Sequence, residues 1–130
     1  MSCPSGAIGT DLFPIQQDRC LTFYCGYSGV QAIPDWLNPA WLECLIGCMR
    51  CQRACPENRQ FLGWIEEGET FNEEETELLY CGLTSQTVTT SIRQKLERLG
   101  LIQFFGVEEC LEMIASKLKV FSERRKGRKG

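Results

Sequence analysis

The stretch Cys44-Leu45-Ile46-Gly47-Cys48-Met49-Arg50-Cys51-Gln52-Arg53-Ala54-Cys55-Pro56 decides how the rest of the chain is read. It carries four of the nine cysteines, and its last nine residues have the spacing C-x2-C-x3-C-P. On a continuous helix Cys44, Cys48, Cys51 and Cys55 would share one face. Gly47 and the proline after Cys55 oppose such a helix, so the expectation is a loop that turns its sulfur atoms inward. Thiolates gathered in this way point to metal chemistry.

The composition supports that direction. A chain of 130 residues, 43% of them apolar, suits one ordinary domain or two small modules, and disorder is not the default. An odd number of cysteines leaves one thiol unpaired in any complete intrachain disulfide scheme. The first ten residues have neither the basic nor the apolar region of a secretory leader. A reducing cytoplasm, with thiolates as metal ligands, is the localisation expected. The chain has no histidine. That excludes Ser-His and Cys-His catalytic pairs, imidazole-held haem, mixed Cys/His zinc sites and Rieske-type centres. Sulfur must hold any metal, which leaves iron–sulfur clusters, zinc or copper(I). No apolar run reaches the roughly 18 residues of a membrane span, and a net charge of −3 predicts neither a membrane nor a nucleic-acid partner.

Taken in order, residues 1–34 read as loop-rich, with at most short strands or one helical turn between the apolar pieces Leu12-Phe13 and Leu21-Thr22-Phe23-Tyr24. Cys3-Pro4 and Asp18-Arg19-Cys20 add isolated cysteines. Asn38-Pro39 predicts a helix start with Asn as cap, running toward Gly47. Cys55-Pro56 predicts another, with Phe61, Leu62, Trp64 and Ile65 at helical spacing and Gly68 as stop. Three regular helices are then expected. Asn72 and Glu75 resemble a capping box for a helix that ends at Gly82. Val88, Ile92, Leu96 and Leu99 form one face of a second, capped by Ser85 or Thr84 and closed by Gly100. Val107, Cys110, Leu111, Ile114, Leu118 and Phe121 line a third, which runs into Arg124-Arg125-Lys126-Gly127-Arg128-Lys129. The predicted fold is mostly α with irregular loops: a metal module over residues 1–68, then a three-helix segment with a basic tail over 69–130.

Other features read as structural. Cys81 and Cys110 follow apolar helix faces and are expected in a core. Trp36, Trp41 and Trp64 are expected to shield the metal site from water. Glu66, Glu67, Glu69, Glu73, Glu74, Glu75 and Glu77 form an acidic band read as a solvated edge. The basic tail reads as a solvated terminus, with an RNA contact as the weaker alternative. No catalytic constellation is present, so whether the chain is part of an enzyme stays open.

Cys3-Pro4-Ser5-Gly6-Ala7-Ile8, Asp18-Arg19-Cys20-Leu21-Thr22-Phe23 and Ile46-Gly47-Cys48-Met49-Arg50-Cys51-Gln52-Arg53-Ala54-Cys55-Pro56-Glu57-Asn58 together resemble the double [4Fe-4S] cluster-binding, ferredoxin-type domain of epoxyqueuosine reductase-like proteins. The resemblance covers roughly the first half of the chain. It implies a ferredoxin-like module and one [4Fe-4S] cluster held by Cys3, Cys20, Cys48 and Cys51. It also implies that Cys55 is a ligand of a second cluster, whose other three cysteines would precede Met1. On this likeness the chain is the C-terminal part of a longer reductase-like protein without its cobalamin-binding catalytic domain. The implied function is one-electron transfer, with a redox donor or acceptor protein, or that catalytic domain, as partner. The residues themselves leave alternatives. The standard first cysteine of the second motif would fall at Leu45, so either Cys44, one residue early, substitutes with altered geometry or a distant cysteine fills the role. A tetrathiolate zinc interaction module, buried thiols without metal, and a non-functional gene fragment also stay open.

Overall fold

Local capping chemistry sets most of the element starts in the computed structural model, which describes residues 3–9, 15–26 and 34–127, with side chains to residue 123. Leu12-Phe13 and the side chains of the basic tail lie outside the described residues. Among those described there is no strand, and the chain is mostly α. It divides into two units, Met1–Glu66 and Glu67–Gly130. No helix among the described residues is long and apolar enough to cross a membrane.

The first unit is built from short pieces: a 3-10 turn at Gln17–Arg19, α1 (Leu21–Gly26), a 3-10 turn at Pro39–Trp41, α2 (Arg50–Ala54) and a 3-10 helix at Pro56–Trp64. Asn38 caps as its sequence predicts, its Oδ1 accepting the Ala40 N–H at 2.9 Å. The element nevertheless stops at Trp41, well before Gly47, because Leu42 is extended (ψ 112°) and buried. The helix expected from Pro56 is a 3-10 helix that ends at Trp64, not at Gly68. Its three-residue period eclipses side chains three apart. Phe61 and Trp64 therefore meet edge-to-face, 5.0 Å between centroids, on the outer surface. Trp64 is 75% exposed and Trp36 46%, so these two tryptophans do not wall off an interior site as expected, and Trp41 is only half-buried. The buried apolar residues described in this unit are Ala7, Leu21, Cys25, Leu37 and Leu42. That is little apolar volume to hold such a unit together.

The second unit has four helices among its described residues where three are predicted: α3 (Glu73–Cys81), α4 (Thr90–Arg98), α5 (Leu101–Phe105) and α6 (Val107–Gly127). The capping box forms in full. Asn72 Oδ1 accepts the Glu75 N–H at 2.8 Å, and the Asn72 N–H donates to Glu75 Oε2 at 3.0 Å. The cap of α4 is Thr89, not Ser85 or Thr84. Those two residues lie in a turn in which Thr84 N–H donates to Thr87 Oγ1 and Val88 N–H to the Thr84 carbonyl, while Ser85 N–H donates to Glu108. Val88 thus precedes the helix but still packs on the core. At Gly100 (φ 72°) the left-handed backbone redirects the chain into α5, a segment without a predicted helix. Leu79, Ile92, Leu96, Cys110, Leu111 and Ile114 form the core, with α3 packed on α6. Cys110 is buried as expected, and burial pushes its thiol up to about 11. Cys81, the last residue of α3, is exposed instead, so its predicted core role is wrong.

Glu75 departs from the solvated band predicted for its neighbours. It is buried, and its carboxylate accepts from Lys95 Nζ (2.6 Å), Ser91 Oγ (2.6 Å) and the Asn72 N–H. Lys95 also donates to the Thr70 carbonyl and lies over the Phe71 ring. The Lys95 bond first, then those from Ser91 and Asn72, hold the Glu75 carboxyl down at about 2, against 4.5 unfolded. A depressed carboxyl contributes stability above its unfolded value and loses it as protons bind. The second unit should therefore weaken as pH falls from 4.5 toward about 2. Helix content followed by circular dichroism during urea unfolding checks this. Glu75→Gln should start less stable at neutral pH and change less across that window, and parallel wild-type and variant curves would contradict the assignment.

Candidate metal centre

The cysteine run is shaped by Gly47, whose φ of +75° breaks any continuous helix between Cys44 and Cys48. The chain resumes helical geometry only at α2, which carries Cys51. Across the loop, Arg50 Nη2 donates to Glu43 Oε1 at 2.5 Å, an ion pair that ties together the two residues bracketing Cys44 to Met49. The backbone N–H of Arg50 donates to the Cys48 sulfur. Gln52 Nε2 lies 3.8 Å from Cys51 Sγ as its donor, and Gln52 Oε1 in turn accepts from Asn58 Nδ2. Donors on sulfur of this kind stabilise thiolate character and orient the side chain.

Cys48 is the hub. Burial pushes its thiol up, the Arg50 N–H pulls it down, and negative charge on Cys51, Cys20 and Cys44 pushes it up again. The net direction is upward. Three other cysteines thus lie near enough for their charges to act on Cys48. Mutual repulsion among thiolates disappears when a cation binds them, since a coordinating thiol is deprotonated outright. Of the four ligands implied for the first cluster, the fold brings Cys20, Cys48 and Cys51 into one neighbourhood, and it adds Cys44.

Cys3 has a different setting. Burial raises its thiol, but the Ser5 hydroxyl (3.5 Å) and the backbone N–H groups of Ile8, Ala7 and Ser5 together outweigh that and lower it. Donors around a sulfur favour its thiolate form over the thiol. Gly6, at φ +71°, helps close this turn, its N–H donating to the Cys3 carbonyl. Cys55 closes α2 and opens the following 3-10 helix, its N–H donating to the Cys51 and Gln52 carbonyls. Among the described residues no three Cys, Asp or Glu side chains stand at metal-holding distance.

The donor set fits a thiophilic metal group in two respects. The donors whose charges act together are all sulfur, and Arg50, between Cys48 and Cys51 in the chain, has an N–H left over. Arg50 Nε is buried with no hydrogen-bond partner among the described residues, a costly condition unless something accepts from it. The Glu43–Arg50 pair is absent from the sequence expectations. Its one available signal is the opposite charges flanking the loop that carries Cys44 and Cys48. No family model, curated protein or solved structure matches the chain.

Proposed function

We propose that the first unit is a ferredoxin-like module that binds a [4Fe-4S] cluster and transfers single electrons, as in the epoxyqueuosine reductase-like proteins it resembles in sequence. The carrying observation is that the charges of Cys20, Cys44 and Cys51 all bear on Cys48, in a chain without histidine. The holding residues are Cys20, Cys48 and Cys51, with Cys3 as the fourth and Cys55 directed to a second cluster. The Ser5 hydroxyl and backbone donors lower the Cys3 thiol from its ordinary value, which eases the deprotonation a metal ligand needs. Bound there, the cluster supplies a one-electron couple, and the protein sets its potential and its exposure to water. A redox protein or a catalytic domain in a reducing compartment is the matching partner.

Cys44 gives the alternative ligand set a specific basis, because its charge acts on Cys48. Anaerobic reconstitution with iron and sulfide, followed by iron and zinc counting, tests the proposal. About four irons per chain with broad visible absorption are expected for one cluster. Bound zinc without iron would replace the redox reading by a structural one. In the same assay Cys3→Ser should lose the cluster while Cys44→Ser keeps it, and the reverse pattern would make Cys44 the fourth ligand.

A further inference from the structure

The geometry points to Arg50 as a positioning residue whose Nε–H donates to a sulfur atom of the group held by Cys48 and Cys51, and so raises its reduction potential. This rests on the iron–sulfur reading of the first unit. Three observations on one side chain carry it. Arg50 lies between two of the clustered cysteines, and its backbone N–H already serves the Cys48 sulfur. Its guanidinium is paired with Glu43, the neighbour of Cys44, which ties the partly exposed arm to the other end of the cysteine loop. Between those two fixed ends sits Nε, buried and without an acceptor among the described residues.

A guanidinium N–H is a directional, permanently charged donor. Leaving it buried and unmatched is unfavourable, so the fold retains the arrangement at a cost that an acceptor would remove. Sulfur bearing negative charge is the acceptor chemistry this loop concentrates. Reduction adds one negative charge to such a group, and a positive donor on its sulfur stabilises the reduced form more than the oxidised form. The Glu43 carboxylate fixes the donor and keeps the guanidinium from swinging away.

Wild type, Arg50→Met and Arg50→Lys, each reconstituted in the full chain, test this by iron counting and a redox titration read from visible absorption. Met keeps a flexible, apolar arm without donor or charge, and Lys keeps the charge without the planar fork. At equal iron content Arg50→Met should show about tenfold less reduced form at a fixed solution potential, about 59 mV for a one-electron couple. Arg50→Lys should recover part of that difference. Equal titrations for wild type and Arg50→Met would overturn the inference while leaving the proposed function intact. If Arg50→Met fails to load, an Arg50→Lys protein that loads fully and titrates like wild type would overturn it as well. A wild-type chain that takes up no iron would overturn both, a failure told apart by its iron count.

Discussion

Under the proposed cluster binding, Cys48→Ser is expected to abolish iron uptake almost entirely, with at least about a tenfold fall in iron per chain after anaerobic reconstitution and no visible absorption band. A serine hydroxyl is a hard, rarely ionised donor where a soft thiolate is needed. Position 48 is also where the charges of Cys20, Cys44 and Cys51 converge, so its removal takes the centre from the set. The consequence should spread beyond the site. The described part of the first unit buries few apolar side chains, two of them the small Ala7 and Cys25, and binding energy from a metal group would have to supply what that core lacks. Hydrogen exchange of backbone amides in the first unit should therefore become fast in the variant, while α3, α4 and α6 keep their protection. Cys81→Ser is the matched control: its sulfur is exposed on the second unit, and iron uptake should be unchanged. Full iron content in Cys48→Ser would move the site away from this loop altogether.

Leu96→Ala should produce the largest loss of stability in the second unit, about 2–5 kcal/mol. Leu96 is 1% exposed and sits among Leu79, Ile92, Cys110, Leu111 and Ile114, so a shortened side chain leaves a cavity enclosed by packed helices. A unit of roughly sixty residues has in all only about 3–10 kcal/mol at the usual 0.05–0.15 per residue. The substitution thus removes a large share of the total. Urea unfolding followed at the helical circular dichroism signal should show a midpoint shift of that size with little change in slope. A loss below about 1 kcal/mol would mean that the core repacks or that Leu96 is less enclosed than its burial indicates.

What can be read from the sequence depends on how local the deciding interaction is. The start of α3 is legible because both capping-box partners, Asn72 and Glu75, lie within one turn. The start of α4 is not, since Thr84, Ser85 and Thr89 are all chemically able caps. The choice falls to Thr89 because Ser85 gives its N–H to Glu108, far along the chain. α5 is invisible because Gly100 ends one helix and begins the next, and a glycine announces a turn without announcing the element beyond it. Phe61 and Trp64 suggest an amphipathic α-helix, but a 3-10 period puts them together on the surface. Glu75 looks like one carboxylate of a band until the fold brings Lys95 and Ser91 to it from a distant part of the chain.

The candidate metal centre is half legible. Spacing alone singles out Cys48 and Cys51, and the likeness to a known cluster domain adds Cys20 from a distance. That Cys44 joins this neighbourhood depends on the conformation of Gly47, and the anchored guanidinium depends on a contact between residues 43 and 50. Neither is a property of residue type.

Gly47 also carries a stereochemical consequence. A Cβ built there would meet no atom within 4 Å, so the position restricts handedness rather than volume. An L-residue of any size meets backbone strain at φ +75°, whereas a mirror-image alanine installed by chemical synthesis would fit that backbone and narrow the conformations open to the unfolded loop. The handed backbone turn of the sulfur-bearing loop thus rests on a residue that has no handedness of its own.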